Sequence, residues 1–554
     1  MTHMNTIQNP ILPGFNPDPS IVRVGADYYI ATSTFEWYPG VQIHHSRDLA
    51  NWRLVTRPLA RAAQLDMRGN PDSGGIWAPC LTYADGLFWL IYTDVKRRDG
   101  AWKDSHNYLV TAPGIEGPWS DPVYLNSSGF DPSLFHDADG RKWLLNMIWD
   151  HNQTGGDRFG GIVMQEYSPE DRKLVGPVRN IYRGTDLKLT EGPHLYRKDG
   201  FYYLLTAEGG TGYDHAVTMA RSRDLFGPYE TDPAKHVLTA RGTDGLLQRC
   251  GHADIVETQD GQFYMVHLCS RPLDETRSLP VGNGGIHADD VRRSPLGRET
   301  AIQKLVWEAG QFPRMAHGGN APADTAPCDL PPHPFPGDEA RSTFAPGTLP
   351  PAFQWLRTPA VDRLFSLTER PGALRIFGRE SPGSAFENAM LARRQTALSF
   401  RAETTLEIEP GDYQHFAGLI AWYGRFKFHY LAVTANEQGQ RVLTVYSCAA
   451  DWPDARVTYP IAPVPLPDGP VQLGCDVDGM TLRFRYKTDG DWTDLGITLD
   501  QSAISDEAGN GPGNNFTGAF IGMGAHDTSG RGRHADFLDF TYQPINAGPQ
   551  VSHV

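Results

Sequence analysis

The sequence predicts an all-β protein in which a five-bladed β-propeller is followed by a β-sandwich of the lectin-like jelly-roll type. Three observations lead to this prediction: a hairpin pattern that occurs five times in the first half, a Pro- and Gly-rich segment after it, and short alternating runs in the remainder. Regularly spaced short strands with tight turns are typical of these folds. The predicted boundaries are 1–314 for the propeller, 315–345 for a linker and 346–546 for the sandwich.

The repeated pattern consists of a lead residue, a strand, a tight turn and a second strand that carries aromatic residues. Four copies have Asp-Gly in the turn, the dipeptide that most strongly indicates a two-residue hairpin, and the first copy has Ala26-Asp27 there. The turns lie 54 to 61 residues apart, which suits blades of about four strands. The five lead residues are Asp18, Trp77, Asp131, Glu191 and His252.

The spacing within the copies predicts that the lead residues converge. The lead residue precedes the second aromatic position by twelve residues in four copies, and Asp18 precedes Tyr29 by eleven. The innermost strand of each propeller blade lines the central channel, so residues at a matched position meet on the axis. Isolated carboxylates often do no more than precede a turn. Three carboxylates, an indole and an imidazole at one position favour a shared pocket instead.

The composition excludes several classes of partner. The 554 residues include 50 Lys and Arg and 65 Asp and Glu, for a net charge of −15, without a basic cluster. This balance argues against nucleic acid and anionic membranes, so we expect a neutral ligand. The absence of an 18-residue apolar run and of a signal-peptide pattern predicts a cytoplasmic protein. Six scattered cysteines without C-x-x-C spacing predict reduced structural thiols.

The second half begins after a change in composition. Residues 315–336 are rich in Pro, Ala and Gly and have no periodicity, as expected of a linker. Short, often alternating runs follow at 417–421, 426–434, 442–447 and 480–487, and these predict the sandwich. The stretch 534–542 alternates too, and we interpret it as an edge strand in preference to a cation-binding loop.

Carboxylates that face one aromatic-lined pocket fit the hydrolysis of a glycosidic bond. One carboxylic acid protonates the leaving oxygen, while another carboxylate activates water or attacks the anomeric carbon. Residues on opposite blades would stand roughly 6.5 to 9.5 Å apart, the separation that leaves room for water and gives inversion. The Trp77 face suits the apolar face of a pyranose. A metal site with the carboxylates and His252 as ligands is the alternative, but the sequence lacks a close-spaced ligand pair such as H-E-x-x-H.

Several longer motifs surround the lead residues and continue into the second half. Those in the first half are Asn9-Pro-Ile-Leu-Pro-Gly-Phe-Asn-Pro-Asp-Pro-Ser20, Gly74-Gly-Ile-Trp-Ala-Pro79, Phe130-Asp-Pro-Ser133, Thr190-Glu-Gly-Pro-His194, Cys250-Gly-His-Ala253 and Pro295-Leu-Gly-Arg-Glu-Thr-Ala301. Those in the second half are Gln354-Trp-Leu-Arg-Thr358, Phe365-Ser-Leu-Thr-Glu-Arg370, Ala392-Arg-Arg394 and Phe516-Thr-Gly-Ala-Phe520. Together they closely resemble glycoside hydrolase family 43, in particular its two-domain β-xylosidases, and the resemblance covers nearly the whole chain.

The resemblance implies a role for each carboxylate. By motif, Asp18 corresponds to the general base, Glu191 to the general acid and Asp131 to the residue that tunes the acid and orients substrate. A neighbouring anion raises the pKa of a carboxylic acid, and we expect Asp131 to supply that anion to Glu191. Arg298 corresponds to an arginine that contacts substrate and would keep Asp18 ionised. Without the resemblance, a surface ion pair would be the default interpretation of Arg298.

The resemblance also implies the surroundings of the sugar. Phe35, Trp77 and Trp149 would form the wall of the subsite for the terminal xylose, and His252 corresponds to an axial histidine that binds water or a divalent cation, calcium, in some relatives. Phe516, after Gly513-Asn-Asn515, corresponds to a phenylalanine that a C-terminal loop presents at the propeller mouth. The alternative for Phe516 is a place in the sandwich core.

Together these observations predict an inverting, exo-acting β-1,4-xylosidase that releases xylose from the non-reducing end of xylobiose and short xylo-oligosaccharides. We expect no organic cofactor, no nucleic-acid or membrane partner, and a homo-oligomeric state. An α-L-arabinofuranosidase or a dual-activity enzyme is the alternative in the same class, because the two sugars present similar hydroxyl patterns. A non-catalytic sugar-binding propeller is the alternative in another class, but binding alone requires neither an acid nor a base.

Overall fold

The computed structural model describes residues 5–154, 157–274, 292–337, 339–509 and 516–545. The prediction of an all-β chain is confirmed: within these ranges the regular elements are strands and two single-turn 3₁₀ helices, Val361–Arg363 and Gln501–Ala503. None of the helices in the described ranges is long and apolar enough to cross a membrane.

The N-terminal part consists of five antiparallel sheets that follow one another along the chain. The Asp-Gly pairs lie in the tight turns between the first two strands of each of the last four sheets, as their spacing predicts. The first sheet contains Ser20–Val24, Asp27–Thr32, Gln42–Ser46 and Arg53–Thr56; the second Gly75–Ala84, Leu87–Arg97, Asp104–Ala112 and Val123–Asn126; the third Ser133–His136, Lys142–Trp149, Phe159–Ser168 and Lys173–Tyr182; the fourth Glu191–Lys198, Phe201–Glu208, Ala216–Ser222, Glu230–Thr231 and Leu238–Thr239; the fifth Gln248–Glu257, Phe263–Ser270, Glu299–Val306 and Arg314–Met315.

The first strands of the five sheets contact one another in a closed order. The strand of the first sheet contacts those of the second and fifth sheets, and the third and fourth sheets complete the ring. Each sheet is therefore adjacent to the sheets before and after it in sequence. The residues that open these strands are brought to a common centre.

The C-terminal part consists of two large antiparallel sheets. Leu443, Leu473, Phe484 and Phe537 are buried in one apolar cluster that joins the two sheets and continues to Tyr38 in the N-terminal part. The nine-stranded sheet contains Phe365–Ser366, Leu374–Phe377, His534–Pro544, Ser399–Glu407, Val471–Asp478, Thr481–Lys487 and Thr493–Asp494 in spatial order, with Arg341–Thr343 and Leu499–Asp500 beside it; the six-stranded sheet contains Met390–Arg394, Phe520–Asp527, His415–Gly424, Lys427–Ala435, Arg441–Ala449 and Val464–Pro465.

The strand His534–Pro544 is central, not at an edge as its alternation suggests. It pairs with Leu374–Phe377 on one side and with Ser399–Glu407 on the other. Alternation reports that one face is buried, and it does not distinguish an edge strand from an inner strand of the same sheet. The alternative cation loop is absent, because these residues belong to the ladder.

The segment with a linker-like composition is partly built into the N-terminal part. Thr325–Cys328 pairs with Asn5–Gln8 at the chain start. Ala326, Cys328 and Leu330 are buried against the core of the first and fifth sheets. Composition alone misses this strand, because four residues among prolines give no periodic signal.

The two parts are joined by strand pairing and by aromatic stacking. Trp37–Tyr38 pairs with Trp355–Leu356 across the boundary. The ring of Trp37 also stacks on that of Phe520, with centroids 3.7 Å apart and an interplanar angle of 13°. The six-stranded sheet is thereby held against the side of the N-terminal part on which Phe35 and Trp77 lie.

Candidate active site

Five positions at or near the starts of the inner strands share a left-handed backbone conformation. The φ angle is +56° at Asp18, +31° at Ala78, +54° at Asp131, +56° at Gly192 and +38° at His252. Side chains other than glycine rarely adopt this region, and such residues cluster at functional sites. Each of the five copies of the repeat therefore has a residue with this backbone conformation, near the centre of the ring of strands.

The twelve-residue spacing does not give all lead residues the same register, and in this respect the sequence prediction is wrong. Asp131 lies four residues before Phe135, the partner of the aromatic residue Trp143, whereas Glu191 lies five residues before Tyr196, the partner of Tyr203. A register shift in the fourth sheet adds one residue after Glu191, and the second sheet has the same irregularity after Trp77. A bulge of this kind re-aims the neighbouring side chains, so the lead residues still meet.

Asp18 is buried and accepts two hydrogen bonds from side chains. Ser33 Oγ donates to Oδ2 at 2.7 Å, and Arg298 Nη1 donates to Oδ1 at 3.0 Å. Both members of the Asp18–Arg298 ion pair are nearly fully buried. Arg298, whose guanidinium stays protonated at any working pH, is thus the counterion of Asp18.

Asp131 and Glu191 lie side by side, both buried. The backbone N–H of Gly192 donates to Asp131 Oδ2 at 3.1 Å. Burial raises the pKa of Glu191 to about 8, and the charge of Asp18 adds to this effect. Burial also raises the pKa of Asp131 well above its usual range, with further contributions from Glu191 and Asp18. The pair therefore holds a proton at neutral pH, which is what a general acid requires.

Asp18, Asp131 and Glu191 interact electrostatically with one another. The charge of Asp18 raises the pKa of both Glu191 and Asp131, and the charge of Glu191 raises the pKa of Asp131. Repulsion between neighbouring carboxylates is mutual, so each disfavours ionisation of the other. That Asp131 supplies the anion which acts on Glu191 stays a prediction. Arg298 is the counterion of Asp18.

Aromatic rings enclose the carboxylates. The Trp77 ring contacts those of Phe35, Phe130 and Phe516, with centroid separations of 5.8, 5.3 and 6.0 Å. Trp149 continues the wall at 6.3 Å from Phe130. Both indole N–H groups are held by backbone carbonyls, those of Ser73 and Ala101. All three residues predicted to form the wall thus lie around one pocket.

Phe516 reaches this pocket from the C-terminal part. It packs against the cluster that contains Phe35 and Trp77, and it is absent from the core between the two large sheets, so the interpretation as a sandwich-core residue is wrong. Its N–H donates to Ser73 Oγ at 3.2 Å, and its carbonyl accepts from Arg298 Nη2 at 2.9 Å. The predicted loop residues 513–515 lie outside the described ranges.

Two basic residues of the pocket were not found from the sequence. Lys103 Nζ lies 4.4 Å from the ring centroid of Trp149, 5.4 Å from that of Trp77 and 5.6 Å from that of Phe130. Burial lowers the pKa of Lys103 to about 8. Arg98 lies 5.3 Å from the ring centroid of Phe516. Both belong to the connection between the second and third strands of the second sheet, where the repeat gives no signal.

His252 lies beside Asp131, with Nδ1 of the imidazole 3.8 Å from Asp131 Oδ2. Burial lowers the pKa of His252 to about 4, so the imidazole is a neutral donor or acceptor. In the ranges that the structure describes, no three His, Cys, Asp or Glu residues are arranged to hold a metal ion. The water or divalent cation that the resemblance implies at His252 stays a prediction.

The site combines a carboxylate paired with an arginine, a buried carboxyl with a raised pKa and aromatic walls. This combination is typical of glycoside hydrolases, which use one carboxylate and one carboxylic acid. The sequence profile described as "Glycosyl hydrolases family 43" matches residues 7–313, and that described as "Beta xylosidase C-terminal Concanavalin A-like domain" matches residues 341–543. The chain belongs to glycosyl hydrolase family 43.

The similarity to known members extends over the full length of the chain. A Humicola insolens protein named "Xylosidase/arabinosidase 43B" is 54% identical over 98% of both chains, and a Bacillus subtilis "Beta-xylosidase" is 48% identical over 97% of this chain and 99% of the relative. The crystal structure of a xylan β-1,4-xylosidase from Bacillus halodurans is 50% identical and superimposes with a TM-score of 0.91, covering 97% of this chain and 100% of that one.

Proposed function

We propose that this protein is an inverting, exo-acting β-1,4-xylosidase that releases single xylose units from the non-reducing end of xylobiose and short xylo-oligosaccharides. The observation that carries the proposal is that the three buried carboxylates have different electrostatic environments. Asp18 is paired with Arg298, while burial raises the pKa of Glu191 to about 8. The names of the full-length relatives support the same substrate class.

The proposal includes the arrangement of the sheets. We infer that the five N-terminal sheets are the blades of a five-bladed propeller and that the two C-terminal sheets form a β-sandwich. The closed order of contacts among the five inner strands supports the propeller. The apolar cluster shared by the two large sheets supports the sandwich. The axis of the propeller then coincides with the pocket.

The three carboxylates would act in sequence on one glycosidic bond. Glu191, protonated at neutral pH, gives its proton to the leaving oxygen as the bond to the anomeric carbon breaks. Asp18, ionised beside Arg298, takes a proton from the water that attacks the opposite face. Asp131 holds the backbone N–H of Gly192 and so orients the acid. Attack by water opposite the leaving group inverts the anomeric configuration.

The aromatic walls account for exo action. Trp77, Phe35 and Trp149 line the sides of the pocket, and Phe516 covers one side of its mouth. A pocket closed at one end admits the end of a sugar chain and excludes an internal segment. The apolar walls also exclude water around the carboxylates, which strengthens their interactions.

An α-L-arabinofuranosidase or dual activity is the second candidate. The Humicola insolens relative has a name that includes both activities. The rings of Phe35, Trp77 and Phe130 line the pocket, and apolar ring faces discriminate weakly between a xylopyranose and an arabinofuranose of similar hydroxyl pattern. Relative kcat/KM values on the two nitrophenyl glycosides separate these alternatives.

Hydrolysis of xylobiose followed by proton NMR tests substrate, linkage and stereochemistry together. We expect one of the two xylose products to appear first as the α-anomer and then to mutarotate. Initial release of β-xylose would contradict inversion, and no hydrolysis of xylobiose beside rapid hydrolysis of the arabinofuranoside would contradict the assigned substrate.

A further inference from the structure

Arg298 is oriented by both halves of the molecule. Its Nη1 donates to Asp18 in the N-terminal part at 3.0 Å, and its Nη2 donates to the carbonyl of Phe516 in the C-terminal part at 2.9 Å. Its Nε has no hydrogen-bond partner among the described residues. Since a guanidinium is planar and rigid, these two bonds together determine which direction each Nη group faces.

The carbonyl that accepts from Arg298 belongs to a peptide group held at its other end as well. The N–H of the same peptide, that of Thr517, donates to the hydroxyl of Tyr423 at 3.1 Å. A trans peptide is planar, and its C=O and N–H point in opposite directions. The Phe516–Thr517 peptide therefore lies between the Tyr423 hydroxyl and the Arg298 guanidinium as a rigid link.

The Tyr423 hydroxyl is held in turn by buried charges. It donates to Asp506 Oδ1 in a short hydrogen bond, and Asp506 Oδ2 accepts from Arg249 Nη1 at 3.0 Å. The same Nη1 donates to Glu507 at 2.8 Å. A phenol has one proton to donate, and Asp506 receives it, so the oxygen lone pairs face Thr517. All four side chains are buried.

We propose that Tyr423 is a positioning residue for the reaction: through the Phe516–Thr517 peptide, its hydroxyl orients Arg298 and so aligns Asp18 for water activation. This rests on the proposed function and adds to it, because it assigns to the C-terminal part a role beyond the Phe516 ring. The connected atoms run from Arg249 through Asp506 and Tyr423 to a single backbone peptide, and then to the arginine that pairs with the base.

Removal of the hydroxyl has a definite consequence for the site. In Tyr423→Phe the Thr517 N–H loses its acceptor in a buried position, so the peptide can tilt and the Phe516 carbonyl moves relative to Arg298. The Phe516 ring keeps its contacts with Trp77. Tyr423→Phe should therefore disturb the alignment of Asp18 and lower mainly kcat. Removal of an aromatic ring from the wall would instead raise mainly KM.

The test compares Tyr423→Phe with Tyr430→Phe in the full chain. Tyr430 is an equally buried tyrosine of the six-stranded sheet, and its hydroxyl donates to the Gly524 carbonyl at 2.8 Å. We expect both variants to fold, and Tyr423→Phe to lose more stability, because its hydroxyl makes two buried hydrogen bonds and that of Tyr430 makes one. Only Tyr423→Phe should lower kcat, by roughly ten- to a hundredfold, as small misplacements of reacting groups do. The loss should be similar on xylobiose and on an aryl xyloside, since water activation is needed for both.

The split between kcat and KM gives a readout that a purely structural role would not change. Tyr423→Phe should lower kcat and leave KM on xylobiose near the wild-type value, whereas Tyr430→Phe should change neither. Tyr423→Phe with wild-type kcat would overturn the proposal, as would equal losses of kcat in the two variants or a loss in Tyr423→Phe that appears in KM alone. Absence of xylosidase activity in the wild-type protein would instead reject the proposed function.

Discussion

At the scale of single residues, the site depends on how three carboxylates share charge in a buried pocket. Asp18 forms an ion pair with Arg298, whereas Asp131 and Glu191 are buried and also experience the negative charge of Asp18. Burial therefore raises the pKa of both Asp131 and Glu191, as desolvation of a carboxyl does. This difference in environment, more than the identity of the residues, separates a base from an acid.

Replacement of Glu191 by Ala should affect two substrates differently. Xylobiose, whose leaving sugar must be protonated, should lose about two to four orders of magnitude in kcat, the range for general acid catalysis. An activated aryl xyloside needs little protonation and should lose far less. Measurement of kcat on both substrates tests the role of Glu191. Asp18→Asn serves as the comparison and should abolish both activities, and equal losses in Glu191→Ala would remove Glu191 from the acid role.

The activity should fall on the alkaline side because of Glu191. Since its pKa is raised to about 8, the acid is protonated below this pH and loses its proton as the pH rises through it. The alkaline limb of kcat/KM on xylobiose should therefore lie near pH 8, and it should disappear in Glu191→Ala with the aryl substrate. An alkaline limb that persists in this variant would assign the limb to another group.

The same raised pKa predicts a stability change in Glu191→Gln. Between the ordinary pKa of about 4.5 and the folded value of about 8, the folded state holds a proton that the unfolded state has lost, so stability falls as the pH rises. Glutamine removes this loss and should raise the free energy of unfolding at pH 8 by up to about 4 kcal/mol. Urea unfolding at pH 5 and pH 8 measures it. The exposed Glu308→Gln variant should show no such gain.

At the scale of elements, the bulged inner strands bring the lead residues together. In the fourth sheet, the extra residue and the left-handed Gly192 separate Glu191 from the regular ladder. A Cβ on Gly192 would stand 3.0 Å from the His252 ring, so this position favours glycine for space as well as for conformation.

We predict that the segment that carries Phe516 is also required for full activity. Phe516→Ala should leave the fold intact, because the ring is absent from the core between the large sheets, and should raise KM and lower kcat/KM on xylobiose about tenfold or more. Steady-state kinetics and thermal unfolding measure the two effects. Phe386→Ala removes an exposed phenylalanine of the C-terminal part and should change neither. Unfolding of the sandwich in Phe516→Ala would contradict the pocket-closing role.

At the scale of the whole molecule, the C-terminal part completes the site and covers an apolar side of the N-terminal part. Trp37 stacks on Phe520, and Arg298 is bonded to Phe516. A chain that ends near Pro313 should lose most activity on xylobiose. It also loses Thr325–Cys328, which pairs with the N-terminal strand.

A chain that ends at Pro336 is therefore a better test of the C-terminal part than one that ends near Pro313. It keeps the strand and the buried Leu330 while it removes both large sheets. We expect activity on xylobiose to fall by more than a hundredfold and the truncated protein to expose apolar surface, measured by kinetics and by dye binding. Full activity of this truncated chain would mean that the C-terminal part serves only as a scaffold or as an oligomerisation surface.

The sequence by itself determined the all-β class, the five hairpins and the residues that meet at their starts. Period-two alternation and Asp-Gly turns are local signals, which a sequence displays directly. The roles of Asp18, Asp131, Glu191, Arg298 and Phe516 were assigned from the family resemblance, motif by motif. Local signals cannot report a bulge, so the register of Glu191 was predicted wrongly. Nor do they report a short strand among prolines.

Only the tertiary structure decided how the charges and contacts are distributed. Lys103 lies in a connection of the second sheet where the repeat gives no signal, and Tyr423 lies in the C-terminal part. Their contacts with Trp149 and with the Thr517 N–H join residues that are far apart in sequence. The pKa of Glu191 is raised by burial and by the charge of Asp18, which precedes the first strand of another sheet. Desolvation and long-range hydrogen bonds depend on what surrounds a group in space, and a linear pattern of residues does not contain that information.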